Sequence, residues 1–95
     1  MPYLVIPKRH KISRGCKTAY ILEGEGGELL VKLPSKKRQT VSLDKVRRIY
    51  KVIHIRGDTW RIEVYDKNLN IKRVVEDLSR LPQKIQKKIN EIFKT

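Results

Sequence analysis

Apolar residues recur at every second position through most of the chain and at every third or fourth position near its end, a change of period that predicts strands followed by helix. The clearest run is Val46 to Asp66, VRRIYKVIHIRGDTWRIEVYD, where two segments rich in Ile, Val, Tyr and Trp flank Gly57 and Asp58. Glycine at the first loop position suits a two-residue hairpin turn with a positive backbone angle. Such a turn pairs Arg56 with Thr59, and counting outward pairs His54 with Arg61, Val52 with Glu63 and Tyr50 with Tyr65. In that register Ile53, Ile55, Trp60, Ile62 and Val64 form a core face. Arg48, Tyr50, Val52, His54, Arg56, Arg61, Glu63 and Tyr65 form a wet one.

The rest of the pattern completes the fold. Tyr3 to Ile6, between Pro2 and Pro7, predicts an edge strand. Thr18 to Leu33 predicts a second hairpin around Gly24-Glu25-Gly26-Gly27, apolar on both faces when Glu23 is paired with Glu28, which suggests either a central position in the sheet or one face covered by helix and the other by a partner subunit. Gln39 to Leu43 alternates as a further strand, and Asp44 can cap one helical turn through Arg47. Beyond the Lys67 to Asn70 turn, Ile71, Val74, Val75 and Leu78 recur at helical spacing with Asn70 as cap. Pro82 breaks the path, and Ile85, Ile89, Ile92 and Phe93 form a second stripe. The predicted class is α+β: an antiparallel sheet of about five strands from two hairpins, with a carboxy-terminal helical segment broken near Pro82, all in one domain over residues 1–95.

Charge turns this architecture toward function. Lys and Arg number 23 against 10 Asp and Glu, a net charge of +13, and a polyanion binds such a chain by releasing its own condensed counterions. Abundant Lys, Arg, Glu and Ile with one Cys and one Met also fits a thermophile surface, but those surfaces usually balance their signs. The regular apolar periods exclude a disordered polyelectrolyte. Lone Cys16 excludes an internal disulfide and a multi-cysteine zinc site and points to a reducing compartment. The apolar run at the amino terminus is short for a signal peptide and no stretch has transmembrane length, so a cytoplasmic location away from membranes is expected. No HxH, CxxC or DxD spacing occurs, so neither metal nor cofactor is expected.

The chemistry expected is a basic sheet face with tyrosines that binds nucleic acid without cleaving it. Arg48, Tyr50, His54, Arg56, Arg61 and Tyr65 would form a platform on which cations follow a single strand of DNA or RNA while rings stack on bases. Phosphate contacts are expected from Lys36, Lys37, Arg38 and Arg47, in the densest positive stretch, and from Lys8, Arg9, Lys11 and Arg14 in a basic loop. The glutamates Glu23, Glu25 and Glu28 around the glycine-rich turn argue against a phosphate cradle there. Two alternatives use the same residues. His54 and Glu63 with Arg61 could serve a metal-independent ribonuclease as acid, base and charge stabiliser. The basic face could instead dock a small protein-interaction module on an acidic partner. A homodimer could also form, through the carboxy-terminal helix or an open sheet face.

Overall fold

Among the described residues of this computed structural model, 3–6, 17–34, 38–57 and 59–93, the alternating runs form strands as expected. In chain order they are β1 (Tyr3–Ile6), β2 (Lys17–Gly24), β3 (Leu29–Lys32), β4 (Gln39–Ser42), β5 (Val46–Arg56), β6 (Thr59–Asp66) and β7 (Ile71–Val75). A single 3-10 turn at Leu78–Arg80 and the helix α1 (Gln83–Ile92) follow. An antiparallel five-stranded sheet runs β3-β2-β5-β6-β7, and β1 pairs with β4 in a separate two-stranded sheet. The α+β class is therefore present, with β5 at the centre of the main sheet. No helix among the described residues is long and apolar enough to cross a membrane.

Two local expectations are corrected. The first predicted helix is strand β7 with a 3-10 turn after it. A short apolar run such as Ile71, Val74, Val75 and Leu78 satisfies either period, and its β-branched residues fit a pleated surface better than a helix. The deciding feature is the preceding turn. Asp66 accepts hydrogen bonds at Oδ1 from the backbone N–H groups of Asn68 and Asn70, each at 2.9 Å, and reverses the chain onto β6. Leu69 is held there with a positive φ of 65°, a conformation that β-carbon sterics disfavour. The second correction is at Asp44, which begins no helical turn. Val46 N–H donates to the Leu43 carbonyl, closing a tight reversal into β5.

The larger correction concerns register. Arg56 pairs with Thr59 and Gly57 has a φ of 51°, as the hairpin turn predicts, but the ladder shifts by one residue between His54 and Arg56. From there His54 pairs with Trp60, Val52 with Ile62, Tyr50 with Val64 and Arg48 with Asp66. A one-residue bulge moves every later side chain of a strand to the other face. The β2–β3 hairpin is shifted likewise, pairing Glu23 with Leu29 instead of Glu28.

The shifted register gives two apolar layers, one on each side of the sheet. On the first side Ile21, Tyr50, Val52, Trp60, Ile62 and Val64 pack against Leu81, Ile85 and Ile89 from the carboxy-terminal segment. Burying such side chains contributes about 1.5 to 3 kcal/mol each. The helical stripe that a dimer would use is thus packed on the chain's own sheet. On the second side Leu22 and Ile49 pack with Leu43, and with Leu4 and Val41 from the small sheet, which caps one end of that face. Both parities of β5 are apolar because both faces of its amino-terminal half are covered. The helix is further tied to the glycine-rich turn: buried Glu23 lies 2.7 Å from Lys84, whose ammonium also donates to the Gly27 carbonyl at 3.3 Å.

Candidate functional site

The bulge disperses the expected platform. Tyr50 is wholly buried in the helix-facing core, on the opposite face from Tyr65, so the two rings cannot flank one strand of bases. His54 also lies on the helix side. Its ring centroid is 4.3 Å from that of Trp60 and 5.7 Å from that of Phe93, and its Nε2 is 2.8 Å from the Gly57 carbonyl oxygen. Arg56 is exposed beside the hairpin turn, and Arg38 is exposed just before β4. Arg61 and Tyr65 do share a face, but with Glu63 between them. Lys8, Arg9, Lys11, Arg14, Lys36 and Lys37 lie outside the described residues.

His54 and Glu63, on opposite sides of the sheet, cannot act as acid and base on one phosphodiester. Glu63 is instead the centre of a small network on the second face. The Tyr65 hydroxyl donates to its Oε1 at 2.6 Å, and Arg61 Nε donates to its Oε2 at 3.1 Å. The tyrosine hydrogen bond, with help from Arg61 and Lys51, holds the Glu63 carboxyl below the usual range. Partial burial and the same carboxylate push the Tyr65 hydroxyl up to about 12, and burial with Glu63 nearby raises Tyr20. A carboxyl lowered in the folded state contributes stability above its unfolded pKa, and that contribution is lost as pH falls through the folded value. Glu63→Gln is therefore expected to lower Tm most at neutral pH. The gap to wild type should narrow in thermal melts taken from about pH 6 down to about pH 3. A gap constant over that range would mean that the carboxylate form is not what the network stabilises.

The cations that do converge stand elsewhere. Where β5 begins, β6 ends and β7 begins, a cleft of about 470 Å³ is lined by Arg47, Arg48, Val64, Tyr65, Asp66, Lys72 and Arg73. The strand register brings them together: Arg48 pairs with Asp66, and Val64 with Arg73. Arg48 is fixed from below, since its Nη1 donates to the hydroxyl of buried Tyr50 at 3.3 Å. That hydrogen bond, its largest influence, strengthens the guanidinium's hold on its proton. Asp66, the one acid on the wall, is already engaged by the Asn68 and Asn70 N–H groups and lies 3.7 Å from Lys72. Those bonds, the one from Asn70 first, keep it ionised below the ordinary carboxylate range.

Arg47 and Arg48, expected from the sequence to contact nucleic acid, line this cleft; Lys72 and Arg73 were not singled out, because the helical reading of residues 71–78 left them without neighbours. The signal was the Asp-Lys-Asn-Leu-Asn turn, which marks a reversal between strands. No group of three His, Cys, Asp or Glu side chains among the described residues is arranged to hold a metal ion. Comparison with protein-family models, curated proteins and solved structures finds no match.

Proposed function

We propose that the protein binds nucleic acid without cleaving it, seating phosphate in the cleft of Arg47, Arg48, Lys72 and Arg73. The observation that carries this is the convergence of four cations, three of them arginines, around a space whose one carboxylate is occupied by its own turn. Guanidinium groups match phosphate oxygens bidentately, and a site of like charge held open by a strand scaffold costs stability unless an anion occupies it. The net charge of +13 would add long-range attraction for a polyanion. Tyr65 lines the cleft, but its hydroxyl is bonded to Glu63 and its ring packs beside Leu22 and Ile49 on the face of the sheet away from Arg48 and Arg73. Stacking is then a minor contribution beside charge, since Tyr50 is withdrawn into the core.

Fluorescence anisotropy of labelled single-stranded RNA, single-stranded DNA and duplex DNA across a salt series tests this. With four phosphate contacts on a single strand, log K should fall with log salt at a slope of about −3, and recovered RNA should be intact on a gel. Weak binding to all three that vanishes by moderate salt would defeat the proposal and turn attention to an acidic protein partner.

A further inference from the structure

We infer that the cleft receives the phosphorylated end of a strand in preference to an internal phosphodiester, an inference that rests on the nucleic-acid function proposed for the same cleft. Its size comes first. At about 470 Å³ the space falls among pockets that enclose one small ligand, enough for a nucleotide and too little for a run of them. Val64, only 3% exposed, is among its lining residues.

Charge balance points the same way. Arg47, Arg48, Lys72 and Arg73 against Asp66 leave three positive charges in one nucleotide-sized space. An internal diester supplies one negative charge. A terminal phosphate monoester carries about −2 at neutral pH, and with the adjoining diester it supplies about −3, which matches the cleft. Arginine forks also gain most from the three acceptor oxygens that a monoester presents.

The protonation of the ligand makes the inference separable from charge in general. Facing the cleft are Arg47 and Arg48 from β5, Tyr65 and Asp66 from β6, and Lys72 and Arg73 from β7, with no histidine among them. Side chains of these four types do not ordinarily change protonation between about pH 5 and about pH 7.5, whereas the monoester, with its second pKa near 6, gains a proton as pH falls. Preference for a phosphorylated end should therefore fade as pH falls through about 6, while binding to the diester backbone does not.

The test uses the full chain and one labelled single strand of about ten nucleotides, carrying a 5′-phosphate, a 3′-phosphate or hydroxyls at both ends. At about pH 7.5 a phosphorylated end is expected to bind about tenfold more tightly than the hydroxyl form, and the two phosphorylated strands show which end is received. At about pH 5 the ratio should shrink to about threefold or less. Arg73→Gln, at an exposed position, should abolish the preference while the melting temperature is retained. Equal affinity for all three strands would overturn the inference and leave the proposed function standing. No binding to any of them would remove both.

Discussion

Tyr50→Ala is expected to destabilise the fold by about 4 kcal/mol, whereas Ile55→Ala should change stability by less than about 1 kcal/mol. The ring of Tyr50 is wholly buried among Ile21, Val52, Ile62 and Val64, and truncation leaves a cavity that a close-packed sheet cannot fill. Ile55 is 37% exposed beside the bulge, and its methyl groups are already partly in water. For a domain of this length about 4 kcal/mol is a large share of total stability, with a fall in Tm of roughly 15 °C or more. Urea titration or thermal melting followed by circular dichroism reads both variants. The contrast is diagnostic of register. Without the bulge Ile55 would lie beside Trp60 in the core and Tyr50 would stand in water, so the larger loss would fall on Ile55.

That same bulge explains how much was legible beforehand. The clean alternation of Trp60, Ile62 and Val64 marks the buried face of β6 without help from tertiary structure. The stripe of Ile85 and Ile89 marks α1 in the same way, because a helix with one polar face must bury the other. Strand β5 carries no such signal. Ile49 and Ile53 alternate in one parity and Tyr50 and Val52 in the other, since the helix covers one side and the small sheet part of the second. Counting from a correctly placed turn then assigns the wrong face, as a bulge at Ile55 costs little and has no composition of its own. The error carried into the candidate site. It gathered Tyr50, His54 and Tyr65 on one surface, although the first two face the helix and the third faces away. Arg47 and Arg48, among the first residues of β5, line the cleft and not that surface. Their companions Lys72 and Arg73 depend on β7, which exists only because Asp66 turns the chain back.

Removing two of those four cations should weaken binding more than removing any two others among the described residues. Arg48→Gln with Arg73→Gln is expected to weaken single-strand binding about 100-fold at roughly 0.1 M salt, about tenfold for each charge-assisted phosphate interaction removed. The salt slope should become shallower by about 1.5, the share of two phosphates. Arg56→Gln with Arg61→Gln removes the same net charge from the hairpin end of the sheet, where Arg61 is held by Glu63 and Arg56 is exposed to solvent. That pair should weaken binding by no more than about threefold, as dispersed surface charges act mainly through a screened field. Anisotropy titrations of the two double variants, matched in charge, therefore separate a site from an atmosphere. Equal losses would mean that the cleft binds no phosphate in particular and that +13 acts as a diffuse attraction. A loss confined to Arg48 and Arg73 would mean that the reversal at Asp66, by bringing β7 alongside β6, is what converts a basic chain into a binding protein.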